Sequence, residues 1–513
     1  MTAAADLVLT NAEVHTLESP DETHEAVAIR DGRIVRVGRA YDIELLAGVE
    51  TRVVDCGGKV VLPGFIDAHT HLPMVGRSLV HADLSEADSV ADALDVLRER
   101  AAEVDDGDWV LGFGYDESTW DETRYLTRDD LDAVSDSAPV VAFREDMHTA
   151  GVNSVVLDRF GDEMPDDCIQ TSGTDDRATG VIVEEAIDVL WDVTEPDREE
   201  MAELVHAAQD YATAHGVTGI HDMVRGSRAP EVYRDLDLAG ELDLRVRINY
   251  WSDHLDALRE VGLRSNHGRG LVTTGAIKTF TDGSFGGRTA KLSNPYTDAP
   301  EETGQWVVDP DEVHELVADA AAAGYQLSAH AIGDLAIDTV LDAYEATDDP
   351  RGARHRVEHV ELASDEAIER FADLGVVASV QPNFLKWADD DGLYADRLGE
   401  RRLQTNRYRD LLDAGVDLAF GSDCMPLDPL LGVDLATNHP DPEQSLTVTE
   451  ALRAYTSGSA YAGFDENRLG TVTPWKEADV VVLDESPWEA ESIRDIDVAM
   501  TIVAGRVVFE RDA

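Results

Sequence analysis

Two histidines one residue apart, His69 and His71 in the stretch PGFIDAHTHL, follow an apolar run and stand beside Asp67. Alternate residues of a strand share a face, so the two imidazoles point the same way and can converge on one point. Neutral imidazoles in that arrangement suit a transition metal. A strand end carrying two solvated histidines reads the same way, so the weight comes from the rest of the chain. Lys278 lies in GAIKTF, His330 ends LSAH, His359 ends RVEH and Asp423 ends FGSD. Each has a structural alternative: His330 as a helix cap, His359 paired with Glu358 or Glu361, Lys278 paired with Asp282, Asp423 as a helix N-cap. What favours the joint reading is a shared position, each at or near the end of a short apolar run. The lysine is further marked by rarity, being one of five with Lys59, Lys291, Lys386 and Lys476.

The runs that carry these residues alternate with helical patterns such as SVADALDVLRERAAEV and PDEVHELVADAAAAG, which predicts a parallel α/β fold. Nine candidate strands can be read: GFIDAHTH, PVVAFREDMH, GVTGIHDM, LRVRINYW, GAIKTFTDG, YQLSAHAIGD, HRVEHVE, VVASVQPN and LAFGSD. A (β/α)8 TIM barrel needs eight. Assigning PVVAFREDMH to an insertion after the first βα unit closes the count and places the polar residues at the C-terminal strand ends, where such barrels carry their active sites. The chain ends are different in character. DLVLTNAEVHTL, HEAVAIRDGRIVRVG and TRVVDCGGKVVLPG at the front, and ADVVVLDESP and VAMTIVAGRVVFE at the back, alternate like strands, and the Asp-Gly of IRDGRIV marks a tight hairpin. The expected organisation is a β-sandwich built from 1–62 and 468–513, barrel segments 63–103 and 196–467, and an insertion over 104–195.

The 513 residues hold 105 Asp and Glu against 42 Lys and Arg, a formal net charge of −63, with the acid spread along the whole chain. At molar salt the Debye length falls to about 3 Å and the self-repulsion is screened. A salt-rich, halophilic cytoplasm is the setting this composition predicts. Nucleic acid and anionic membranes are poor partners for such a surface, and no apolar run is long enough to span a bilayer. Cys56, Cys168 and Cys424 have no ligand spacing and suit a reducing interior.

The stretches PGFIDAHTHL, IKTFTDGSFGGRTAKLSNPY, HAIGDLAIDTVLDAYE, RHRVEHVE and GSDCMPLDP resemble the amidohydrolase superfamily, and more narrowly its YtcJ-like (amidohydrolase 3) branch of metal-dependent hydrolases. The resemblance spans nearly the whole chain. It implies one or two divalent metal ions, zinc first, with manganese, iron and nickel as alternatives. His69, His71 and Asp423 would hold the more buried ion and His330 and His359 the other. Lys278, carrying a CO2-derived carbamate, would bridge them, with Glu184 as the reserve bridging carboxylate. The implied activity is hydrolysis of a non-peptide C–N bond in a small-molecule amide, with Asp423 as general base and then general acid. A lactonase, a phosphotriesterase or a deaminase keeps the same site and changes the bond; a non-catalytic barrel is the remaining alternative. Tyr115, Trp120, His148 and Arg288 are the substrate-facing candidates, against a core role for Trp120 and a loop-pinning role for Arg288. Barrels of this group are often dimers, so a homodimer is consistent with the resemblance.

Overall fold

The computed structural model describes residues 4–105, 107–117, 120–145, 149–172, 177–390 and 392–511. By internal contacts the chain forms two compact units: Met1–His71 with Gln209–Gly226 and Tyr233–Ala513, and Leu72–Ala208 with Ser227–Val232.

The first unit contains the barrel. Its eight strands, in chain order, are Phe65–Thr70, Val217–Val224, Arg245–Trp251, Val272–Phe280, Leu327–Ala331, Arg356–His359, Val377–Val380 and Leu418–Phe420. Each pairs in parallel with the next in sequence. The first, second, fifth, sixth, seventh and eighth are buried at every position, as strands covered on both faces must be. Helices follow with local signals of their own. Asp309 caps Pro310–Ala322, and Ser364 caps Asp365–Leu374, which ends on Gly375 at φ 65°. The ladder is not continuous between the eighth strand and the first. There the sheet nearly closes through a backbone hydrogen bond from the Asp423 N–H to the His69 carbonyl at 2.7 Å.

The same unit carries two antiparallel-rich sheets made from the chain ends. Val480–Leu483 pairs antiparallel with Val60–Pro63, so the front and back of the chain share one six-stranded sheet. A four-stranded sheet of Arg33–Gly38, Ala26–Arg30, Ala5–Thr10 and Ala47–Asp55 packs on it. One apolar core holds Leu7, Leu9, Val27 and Ile29 from the smaller sheet with Val61, Val480, Val482 and Ile502 from the larger, which makes the pair a sandwich. The hairpin at Asp31-Gly32 has φ of 53° and 73°, the positive pair that a two-residue turn between twisted strands demands.

The second unit is built on a six-stranded sheet that includes Val140–Arg144, the strand-like run excluded from the barrel count. The helix Val90–Ala101 buries Val90, Ala93, Leu94 and Leu97 with Leu84, Val110 and Val140 of this unit. The expected boundary at 103/104 therefore falls inside the second unit. An amphipathic stripe announces that a helix will cover a sheet, but not which sheet.

Candidate metal centre

The first and eighth barrel strands meet at the site. Buried Asp67 accepts the backbone N–H of His69 at 3.0 Å and of Ser422 at 3.1 Å. Burial pushes its carboxyl up to about 6 against the pull of those donors. Asp423 and Cys424 take φ of 52° and 57°, a turn unusual for non-glycine residues. Out of this turn the Asp423 carboxylate faces the two histidines, its Oδ1 lying 3.6 Å from His69 Nε2 and 3.4 Å from His71 Nε2. The three ligand atoms all fall within 4.8 Å of one another. Atoms bound to a common ion at about 2 Å stand roughly 3–4 Å apart, so this triplet fits one divalent cation.

The hydrogen bonds of the rings decide which nitrogen faces the centre. His69 Nδ1 donates to Glu358 Oε2 at 2.8 Å, His71 Nδ1 to the Met223 carbonyl at 3.0 Å, and His359 Nδ1 to Gln381 Oε1 at 2.7 Å. Each of these rings keeps Nε2 as a lone-pair donor. His330 is reversed: its Nε2 donates to the Gly283 carbonyl at 3.0 Å, which leaves Nδ1. Burial holds His71 down at about 4 although one edge remains open, and burial also holds His330 and His359 well below the usual histidine range. Neutral imidazole is the form that binds metal.

His359 completes the cluster, its ring centroid 5.0 Å from that of His69 and 4.4 Å from that of His330. Its orientation overturns a simple strand reading. Neighbouring strand residues face opposite sides, yet Glu358 reaches His69 and His359 reaches the same centre. The reason is a tight turn: His359 and Val360 have φ of 74° and 53°, and the Val360 N–H bonds back to the Glu358 carbonyl at 3.1 Å. Hence His359 pairs with Gln381 rather than with Glu358 or Glu361. Glu361, fully buried, instead accepts the Tyr394 hydroxyl, and burial pushes its carboxyl up to about 8.

Lys278 is 1% exposed. Its Nζ lies 5.3 Å from the Trp251 ring centre and 4.8 Å from that of Phe280, and burial pulls its pKa down to about 8. The alternative of an ion pair with Asp282 is not realised, because Asp282 accepts the backbone N–H groups of Lys291, Ile332 and Gly333. His330 is not a helix cap, since Gly333 holds that position. Nor is Asp423, since Asp428 caps the next helix.

Other candidates take structural places. Tyr115 and Trp120 are buried in the core of the second unit, with ring centroids 5.6 Å apart and Trp120 Nε1 donating to the Ala87 carbonyl at 2.5 Å. For Trp120 this is the core role that the sequence offers beside the substrate-facing one, and for Tyr115 it differs from the substrate-facing expectation, because a large ring serves both purposes. Glu184 is exposed at the start of the helix Glu185–Val193 in the second unit. Arg288 forks onto Asp298 at 3.1 and 2.7 Å, which pins its own loop. His148 lies outside the described residues. Gln381 and Trp251 carry no signal in the sequence, and Glu358 partners His69 rather than the His359 it adjoins. The available signal was a charged residue at alternate positions of a fully buried strand, Arg356 and Glu358.

Residues 52–509 match the sequence model described as "Amidohydrolase family". The putative amidohydrolase YtcJ of Bacillus subtilis is 31% identical over 96% of this chain and 97% of its own. An N-substituted formamide deformylase of Arthrobacter pascens is 29% identical over 100% of this chain and 99% of its own. Among solved structures, an uncharacterized metal-dependent hydrolase from Pyrococcus horikoshii OT3 superposes with a TM-score of 0.80 at 30% identity, covering 94% of this chain and 98% of that one.

Proposed function

The chain belongs to the amidohydrolase family, and from that premise we propose that it is a divalent-metal-dependent hydrolase of a non-peptide amide or N-substituted amide. The observation that carries this reading is the triplet His69, His71 and Asp423, with ligand atoms within 4.8 Å and both histidines turned to offer Nε2. The deformylase relative supports a C–N bond as the target.

His69, His71 and Asp423 would hold the ion, with His330 and His359 beside them for a second. Zinc suits a set of imidazoles and carboxylate. Bound there, the metal supplies Lewis acidity towards water and a carbonyl oxygen. Asp423 takes the proton of the attacking water and delivers it to the departing nitrogen, so one carboxylate serves as base and then acid. Lys278, drawn below the usual lysine range by burial, would present a free amine to CO2; the N–C bond would form as the ammonium proton is lost to solvent, and the carbamate would supply further oxygen ligands for the ions. The acidic excess of the chain, a formal net charge of −63, supports a salt-rich cytoplasm as the setting in this reading.

The test is elemental analysis of protein purified at high salt, followed by assays of amides, lactones and aminopurines on the same sample. One to two divalent ions per chain and turnover of amides are expected. Turnover confined to the ester or ring-amine substrates overturns the amide assignment.

A further inference from the structure

The barrel interior beneath the candidate centre is ionic. Arg356 and Glu358 project inward from the sixth strand and are both fully buried. Arg356 Nε donates to Glu358 Oε1 at 2.8 Å and its second terminal nitrogen to Oε2 at 2.9 Å. The same guanidinium reaches the Ala68 carbonyl of the first strand at 2.7 Å, His221 Nδ1 of the second at 2.8 Å and Ser379 Oγ of the seventh at 2.8 Å. Glu358 also accepts Ser328 Oγ of the fifth strand at 2.6 Å and Nδ1 of His69 at 2.8 Å. Two charged groups thus tie together five of the eight strands, and among the described residues the Glu358 carboxylate is met by donors from Arg356, Ser328 and His69.

A buried ion pair of this kind is weak support for stability, because desolvation offsets most of its Coulombic gain. An apolar plug of equal volume fills a barrel as well. What the pair provides that an apolar plug would not is an acceptor for the inner nitrogen of His69.

We propose that Glu358 is a positioning residue of the metal centre. Its carboxylate fixes the His69 ring in the tautomer that offers Nε2, and Arg356, bonded to both carboxylate oxygens, holds that carboxylate aimed. The inference rests on the metal-centre reading above. Carboxylate partners of ligating histidines typically contribute 10–100-fold to metal affinity.

The experiment is a Zn2+ affinity measurement by chelator competition at molar KCl. It compares the wild-type chain, Glu358→Asp, and the double variant Arg356→Met with Glu358→Gln. Aspartate keeps a charge for Arg356 but withdraws the carboxylate from His69. The double variant removes both charges, so no ion is left unpaired if the first variant does not fold. Roughly 10–100-fold weaker Zn2+ binding is expected in the folded variants. Variants that fold and bind Zn2+ as tightly as the wild type overturn the proposal, since a role confined to filling the barrel moves thermal stability alone. Wild-type protein that binds no Zn2+ sinks the metal-centre reading instead.

Discussion

Asp423 meets His69 twice: its backbone N–H bonds to the His69 carbonyl at 2.7 Å, and its carboxylate lies 3.6 Å from the Nε2 of the same histidine. Closing the barrel and assembling the site are therefore one event. Gly421 makes the approach feasible, because a Cβ there would sit 2.4 Å from the His69 nitrogen. Backbone cannot yield as a flexible side chain does. Gly421→Ala is expected to cost about 1–3 kcal/mol and to lower Zn2+ occupancy together with the melting temperature. A variant with wild-type occupancy and stability would show that the eighth strand tolerates displacement.

Asp423→Asn keeps the volume and the backbone bond to His69 but weakens proton acceptance. Turnover is expected to fall about 10²–10⁴-fold, the range for loss of a general base, while much of the metal stays bound. Steady-state rates at matched metal content check this. Near-normal kcat would exclude Asp423 as the proton carrier.

Most of the scaffold was legible because burial on both faces leaves short, mostly apolar runs such as VASV and LAF, and a metal site needs residue types that interrupt them. The partners of the ligands were not. Glu358 and His69 are 289 positions apart, and nothing local reveals the turn at His359 and Val360 that lets two consecutive residues face one centre. Tyr115 and Trp120 show the converse limit, since an aromatic ring in a loop-rich segment reads as substrate-facing or as core with equal ease.

Lys278→Ala removes the amine enclosed by Trp251 and Phe280. If the lysine carries the bridging carbamate, elemental analysis is expected to show at least one divalent ion fewer per chain than in the wild type. An unchanged metal count takes the lysine out of the centre.

Glu361 gives a signed pH dependence. Burial raises its folded pKa from the ordinary carboxylate value of 4.5 to about 8, so the folded state binds this proton more tightly than the unfolded chain. Its stabilising contribution is complete below pH 4.5 and is lost as the pH rises towards 8. Glu361→Gln keeps an acceptor for Tyr394 and cannot ionise. The variant is expected to flatten the decline of melting temperature across this window, recovering on the order of a few kcal/mol at its upper end. Parallel pH curves for the two proteins would mean that Glu361 stays ionised in the fold.

Salt should act on the whole chain. With a formal charge of −63, like charges repel across the entire surface, and the Debye length of about 10 Å at 0.1 M lets that repulsion act between neighbours. At 1 M it shrinks to about 3 Å, and only contacts as close as the Arg124–Asp130 bridge at 2.7 Å retain their attraction. Melting temperature is therefore expected to rise steeply between 0.1 and 1 M KCl and then level off as screening saturates. A sucrose series at constant low ionic strength separates screening from general exclusion effects, because it strengthens burial without shielding charge. Equal stabilisation by sucrose and by KCl would show that the acidic surface is not what limits the fold.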